Sequence, residues 1–235
     1  MFRPAFHLSV VLLNVFSVWY DQTYLDLPFP NEMYASMPFK ARQVFLTIWC
    51  FILQTLYFSV SFLNDISGTN APAPNKTPLI RTIKDNLFSL AFPMALYVST
   101  FFWAIYYIDK ESVFPDYIEM KFPVWLNHML HTFVAVFVLI EIFITNRTYP
   151  SRSFGISLMI TFASVYTIWM HIVHARNGLW PYPMFEVFNI PQRIGYFAVS
   201  AAFQVGYYIF GEKLHGALAE QRSVPYANGH TKKIK

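Results

Sequence analysis

The sequence predicts an all-α integral membrane protein, a bundle of six transmembrane helices with both termini in the cytosol. Its composition excludes the soluble classes. Hydrophobic residues make up 55% of the 235 residues and charged residues only 13%, which is too little charge to cover a soluble globule of this size. The net charge of +4 is spread over loops and the tail and forms no basic stripe, so no nucleic-acid partner is expected.

Six apolar segments are each close to the roughly 20 residues that cross a bilayer as a helix. They lie at residues 5–20, 42–63, 87–108, 123–144, 154–174 and 192–210. The first is the weakest, and Arg3 precedes it as in the n-region of a signal peptide. Its exit, from Val18 to Asp21, lacks the small residues that signal peptidase needs, so we interpret the segment as a retained anchor.

The distribution of Lys and Arg orients the predicted bundle. Six crossings place both termini on one side, and that side carries eleven of these cations against six on the other. By the positive-inside tendency, the side with the termini is cytosolic. A six-helix transmembrane domain is accordingly predicted at residues 1–211, and residues 212–235 are predicted to form a basic cytosolic tail.

The last residues bear on which membrane holds the protein. Lys232 and Lys233 stand fourth and third from the C-terminus, which resembles the dilysine signal that returns membrane proteins to the endoplasmic reticulum. A solvated basic end explains the same residues equally well. We therefore expect the endoplasmic reticulum, the plasma membrane or both.

Polar side chains at membrane depth are costly, so they mark candidate functional residues. The second segment carries a polar stripe of Gln43, Thr47, Gln54 and Ser61 at spacings of four and seven residues, and such a stripe should face other helices. A membrane threonine most often bonds the carbonyl one turn back, which is the alternative explanation for Thr47.

The fourth segment carries Asn127 and His131 at positions i and i+4, on one helical face. The second and fourth segments run parallel, and Thr47 and His131 lie roughly 8 and 12 Å below the ends at which their helices start. The two side chains are therefore expected to meet. An imidazole beside a threonine hydroxyl is the minimum for acyl transfer, and an amide such as Asn127 can hold the imidazole tautomer. An interhelical hydrogen bond without chemistry is the alternative.

Two histidine pairs support a competing hypothesis, a metal site. His128 with His131, and His171 with His174, have the i, i+3 spacing that presents imidazoles to one metal such as zinc or iron. Neither pair has a carboxylate near it, and Cys50 is the only cysteine, which excludes a cysteine-based metal site within one chain. We predict no metal and no other cofactor, and keep a metal-dependent lipid enzyme as the alternative.

A family resemblance rests on six segments taken in order and spacing. They are Phe45-Leu46-Thr47, Leu90-Ala91-Phe92-Pro93, Phe102-Trp103-Ala104-Ile105-Tyr106, Trp125-Leu126-Asn127-His128-Met129-Leu130-His131-Thr132, Tyr149-Pro150-Ser151-Arg152-Ser153 and Gly178-Leu179-Trp180-Pro181-Tyr182-Pro183. With them the chain resembles the androgen-induced-gene and androgen-dependent tissue-factor-pathway-inhibitor-regulator family of multispanning membrane hydrolases. The likeness covers nearly the whole length except the tail beyond Gly211. His171 departs from the family pattern, which counts against a four-histidine metal site.

The resemblance implies a carboxylic ester hydrolase that acts on fatty acid esters of hydroxy fatty acids. Its threonine nucleophile and histidine base match Thr47 and His131, the pair already selected by depth. The candidates for orienting or oxyanion-binding groups are Asn127, His128, Gln54 and Trp49, and those for binding the substrate carboxylate are Arg42 and Lys121. The expected partners are this lipid substrate and the membrane lipids. A non-enzymatic lipid-binding protein and a regulatory membrane partner remain as further alternatives.

The predicted topology can be tested with the two glycosylation sequons. Asn75-Lys76-Thr77 and Asn146-Arg147-Thr148 both fall in loops that are predicted to be cytosolic, so neither should carry a sugar. Glycosidase digestion of the protein made in eukaryotic cells should leave its electrophoretic mobility unchanged. A glycan on either asparagine would show that the loops are lumenal and that the predicted orientation is wrong.

Overall fold

The computed structural model describes residues 2–27, 36–72 and 74–230, with side chains described as far as residue 220. Six helices within this part of the chain are long and apolar enough to cross a membrane. They are α1 (Phe2–Tyr24), α2 (Leu46–Ser67), α3 (Leu79–Ile108), α4 (Val124–Ile144), α5 (Arg152–Asn177) and α6 (Ile190–His230). The all-α fold class and the six predicted spans are confirmed.

The structure describes only part of the predicted C-terminal tail. Helix α6 continues through the predicted domain boundary at residue 211, so the membrane helix and the start of the tail are one continuous rod. The dilysine residues Lys232 and Lys233 lie outside the described residues.

Helix α2 begins at Leu46, four residues later than the predicted start at residue 42. The cause is the preceding segment Pro38–Val44, which forms 3-10 turns. Phe39, Lys40 and Ala41 have φ values of 56°, 48° and 57°, and consecutive left-handed residues do not continue a right-handed helix. Ala41 is completely buried, which shows that this segment packs against the bundle.

Helix α3 is the centre of the bundle. It packs against α2, α4, α5 and α6, while α1 packs on α2 and α5 on α6. Every residue from Phe88 to Val98 is buried, so this stretch contacts protein on all sides, as a helix that is apolar all round requires. The outer helices expose apolar side chains instead, as α2 does with Ile52, Leu56 and Leu63.

A cluster of buried polar and charged side chains joins the helices at the end of the bundle where α2 and α4 finish. This polar cluster consists of His7, Tyr57, Asp65, Arg81, Lys84, Asp85, Glu141 and Arg147. Glu141 accepts hydrogen bonds from the Tyr57 hydroxyl at 2.5 Å and from His7 Nε2 at 2.8 Å. His7 Nδ1 donates to Asp65 at 2.7 Å. One histidine thus links α1 to both α2 and α4.

The cations of the polar cluster extend it to α3 and to the loop before α5. Arg147 lies 3.6 Å from Glu141 and stacks over the Phe88 ring at 3.4 Å from its centroid. On α3, Asp85 pairs with Arg81 at 2.7 Å and with Lys84 at 2.8 Å. Because charges at this depth are tolerated only when paired, these contacts fix how the helix ends fit together.

The polar cluster predicts a strong stability defect for Glu141→Ala. The substitution leaves His7, Tyr57 and Arg147 without their shared carboxylate, and breaking a buried ion pair costs about 3–5 kcal/mol. Thermal unfolding in detergent should show a much lower midpoint than for the wild type. Glu212→Ala is the matched control, because Glu212 pairs with the exposed Arg152 and should stay near the wild-type midpoint. Equal midpoints for the two variants would contradict the prediction.

Candidate active site

The ends of α2 and α4 opposite the polar cluster bring Thr47 and His131 together. Thr47 lies in the first turn of α2, and its Oγ1 is 3.2 Å from His131 Nε2. His131 is buried and Thr47 is half-buried. In α4, residues Met129–Phe133 form one turn of π-helix around His131, a local widening that is often found at functional sites.

Asn127 holds the other side of the imidazole. His131 Nδ1 lies 2.7 Å from the Asn127 side-chain oxygen and 3.1 Å from its backbone oxygen. A backbone carbonyl can only accept, so Nδ1 carries the ring proton and Nε2 is left to accept from the Thr47 hydroxyl. This is the tautomer that a general base needs.

The Phe102 ring fixes the plane of the imidazole. It stacks on His131 with a centroid separation of 3.5 Å and an interplanar angle of 7°. Together with Asn127, this contact limits the imidazole to one orientation, with Nε2 directed at Thr47. A hydroxyl, an imidazole and an orienting amide in this arrangement are the groups that covalent acyl transfer requires.

Two cavities meet at Thr47. The outer cavity, of about 300 Å³, is lined by the 3-10 segment, the starts of α2 and α4, the loop at residues 113–122 and the loop at residues 179–186. The inner cavity, of about 90 Å³, lies between α3, α5 and α6. Thr47, Phe102, Val113 and Tyr182 line both cavities. Thr47 thus lies on the wall of both cavities.

Of the two cations predicted to bind a carboxylate, one lies on the wall of the outer cavity. Arg42 lines it and donates from Nε to both Asp21 carboxylate oxygens, at 2.9 and 3.0 Å. Asp21 lines the same cavity. Lys121 is exposed and lies on neither cavity wall.

Three other predicted site residues have partners elsewhere. The Gln54 amide donates to the Ala91 carbonyl at 2.8 Å, and the Trp49 indole donates to the Gln43 carbonyl at 2.8 Å. His128 Nδ1 lies 3.0 Å from the Thr132 hydroxyl. None of the three lines either cavity, so the structure does not bring them to Thr47.

The two histidine pairs do not come together. The His174 ring stacks on Trp180 at a centroid distance of 4.0 Å, and His171 Nδ1 donates to the Thr167 carbonyl at 2.7 Å. Across residues 2–27, 36–72 and 74–220, no three His, Cys, Asp or Glu side chains are grouped so that they could hold a metal ion. The four-histidine ligand set is therefore not formed in this part of the chain.

Tyr182 is a cavity residue that reasoning from the sequence did not single out. Its hydroxyl oxygen accepts the Leu46 backbone N–H at 3.0 Å, so the loop between α5 and α6 reaches the N-terminus of α2. A sequence signal was present, because Tyr182 stands between Pro181 and Pro183 and prolines restrict the backbone on both sides. Its contact with α2, however, is long-range.

Comparison with known proteins supplies the family. A family model described as FAR-17a/AIG1-like protein matches residues 2–216. The chain belongs to the FAR-17a/AIG1-like family. It is similar to the human androgen-induced gene 1 protein, with 31% identity over 191 residues that cover 78% of this chain and 80% of that protein. The human androgen-dependent TFPI-regulating protein is 28% identical over 176 residues, which cover 74% of this chain and 76% of that protein.

The same protein from Mesocricetus auratus is 29% identical over 206 residues, which cover 85% of this chain and 89% of that relative. No solved structure is significantly similar to the chain. The family resemblance predicted from the sequence is confirmed. The relatives' names state no enzymatic activity, so the chemistry of this FAR-17a/AIG1-like chain is argued from its own residues.

Access to Thr47 through the cavities can be measured with a cysteine probe. Cys50 is the only cysteine and is completely buried, so the wild-type protein in membranes should react slowly with a small apolar maleimide. Thr47→Cys should react at least about ten times faster, because its side chain faces both cavities. Gln54→Cys, on the same helix but off both cavity walls, is the matched control. Equal rates for the two variants would mean that the cavities do not lead to Thr47.

Proposed function

We propose that this protein hydrolyses lipid esters inside the membrane, with Thr47 as nucleophile and His131 as general base. The observation that carries the proposal is the connected series Thr47, His131, Asn127, in which the imidazole accepts from the hydroxyl at 3.2 Å and donates to the amide oxygen at 2.7 Å. We further propose fatty acid esters of hydroxy fatty acids as the substrate class.

The geometry supports a two-step reaction. The Thr47 oxygen attacks the ester carbonyl carbon while His131 Nε2 takes the hydroxyl proton. The imidazolium that results keeps its Nδ1–H bond to Asn127 and gives the Nε2 proton to the oxygen of the leaving hydroxy acid. Water, deprotonated by the same Nε2, then attacks the acyl-threonine and releases the fatty acid.

Two cavities lined by Thr47 are compatible with an ester that has two arms, and the inner one, of about 90 Å³, has room for the first methylene groups of an arm. The inner cavity is lined largely by apolar side chains, including Met94, Phe101 and Phe197, which suits an unsubstituted acyl chain. Arg42 lines the outer cavity, where its Nε is bonded to Asp21, and a guanidinium has further N–H groups with which to bind a substrate carboxylate. We assign the acyl arm to the inner cavity and the carboxylate-bearing arm to the outer one.

The proposal predicts that replacement of Thr47 by alanine abolishes ester hydrolysis, whereas the same replacement of another threonine of α2 does not. Thr47→Ala should lower hydrolysis of a hydroxy-fatty-acid ester at least about 10³-fold, because it removes the nucleophile, whereas Thr47→Ser should retain activity. His131→Ala should lose activity as Thr47→Ala does. Labelling by a fluorophosphonate probe in membranes should follow the same pattern.

Matched controls lie on the same helix and on α5. Thr55 Oγ1 donates to the Phe51 carbonyl one turn back, so Thr55→Ala should keep full activity, as should His171→Ala. If folded Thr47→Ala still labels or turns over substrate, threonine is not the nucleophile. Chelator-sensitive turnover would favour the metal-dependent alternative, and lipid binding without turnover by the wild type would favour a lipid-binding protein.

A further inference from the structure

Hydrolysis of an ester through an acyl-threonine requires a group that stabilises the negative oxygen of the tetrahedral intermediate. Of the candidates named for this role from the sequence, His128, Gln54 and Trp49 line neither cavity. The Asn127 oxygen faces His131, and Gln54 and Trp49 donate to backbone carbonyls outside the cavities. The donor must therefore be sought among the residues that share both cavities with Thr47, and Tyr182 is the phenol among them.

In the hydrogen bonds around Tyr182, its phenol oxygen acts as an acceptor, so its O–H proton can be donated elsewhere. The Leu46 N–H, at 3.0 Å, can only donate, so it uses the Tyr182 oxygen as acceptor. The neighbouring Tyr166 hydroxyl donates to the Val44 carbonyl at 3.0 Å, and the two phenol oxygens are 3.5 Å apart, longer than an effective O–H···O bond.

Tyr182 and Thr47 both line the two cavities, and the Tyr182 oxygen accepts the N–H of Leu46, the residue before Thr47. Because these contacts do not use the phenol proton, it is available to the cavity space beside Thr47. The carbonyl oxygen of an ester attacked by Thr47 would lie in this space.

We propose that the Tyr182 hydroxyl is the oxyanion donor of this hydrolase, a role that rests on the proposed function of Thr47. As the bond from Thr47 Oγ1 to the carbonyl carbon forms, the carbonyl π pair moves onto oxygen, and the Tyr182 O–H donates to that oxygen without losing its proton. When the pair returns, the bond to the hydroxy-acid oxygen breaks, and His131 protonates the leaving oxygen.

Two further observations support the assignment. Burial raises the pKa of the Tyr182 phenol to about 12, so the group remains a protonated donor at neutral pH. The Thr47 backbone N–H lies in the first turn of α2, where a helix supplies no carbonyl, and the Gln43 carbonyl before it already accepts two indole N–H groups, from Trp49 and Trp169. A nucleophile's own N–H beside a side-chain donor is a common oxyanion arrangement.

The test compares Tyr182→Phe with wild type on a hydroxy-fatty-acid ester and on its thionoester, in which sulfur replaces the carbonyl oxygen. The variant should lose about 10²–10³-fold in kcat with KM within about threefold of the wild-type value. Sulfur accepts hydrogen bonds weakly, so the wild-type preference for the oxygen ester should shrink in the variant. Tyr106→Phe, which removes a phenol that donates to Glu119 at 2.6 Å outside both cavities, should change neither quantity.

A second variant tests the role without removing the phenol. A polyfluorinated tyrosine at position 182 keeps the shape and the Leu46 contact but lowers the phenol pKa. Because the donor must be protonated, the alkaline loss of kcat should begin at lower pH than in the wild type. A phenol that only packs against α2 would leave the pH profile unchanged.

Failure of this inference and failure of the proposed function give different results. If kcat, the ester preference and the pH profile all stay at wild-type values while Thr47→Ala is inactive, Tyr182 is not the oxyanion donor but the hydrolase mechanism stands. A loss of kcat with an unchanged ester preference and an unchanged pH profile also overturns the inference. If Thr47→Ala remains active, the mechanism itself fails.

Discussion

Two hydrogen bonds between α2 and α4 set the register of this helix pair, on which both the polar cluster and the candidate site depend. Tyr57 to Glu141 closes the pair at the polar cluster, and Thr47 to His131 closes it at the candidate site. Each pair joins residues 84 positions apart, so the same ten-residue interval separates the two contacts on both helices, roughly 15 Å along each axis. The polar cluster and the candidate site are therefore the two ends of one aligned helix pair.

Because of this alignment, the charged residues of the polar cluster also restrict the positions of the uncharged side chains Thr47 and His131. An unpaired charge buried in protein is costly enough that Glu141, His7 and Arg147 have few alternative arrangements. Their pairing restricts sliding and rotation of α2 against α4. The contact between Thr47 and His131 is itself neutral, and the Arg42–Asp21 ion pair lies on the wall of the outer cavity.

The sequence was sufficient for features that depend on composition, period or depth. Six spans follow from hydropathy, and the pairing of Thr47 with His131 follows from parallel helices of similar depth. The start of α2 was predicted too early, because three left-handed non-glycine residues leave no local signal. The π-turn around His131 and the contact of Tyr182 with Leu46 also arise from tertiary packing, which no window along the chain records.

The ten-residue interval between the two contacts also limits where the chain can change in length. The loop after α2 lies outside this interval, although Asn70 in it donates to Asp65 of the polar cluster at 2.6 Å, so length changes there leave the interval itself intact. Deleting one residue between Thr47 and Tyr57 would rotate one contact by about 100° relative to the other, although hydropathy would hardly change. Between the two contacts, the helices therefore accept a substitution more readily than an insertion or a deletion.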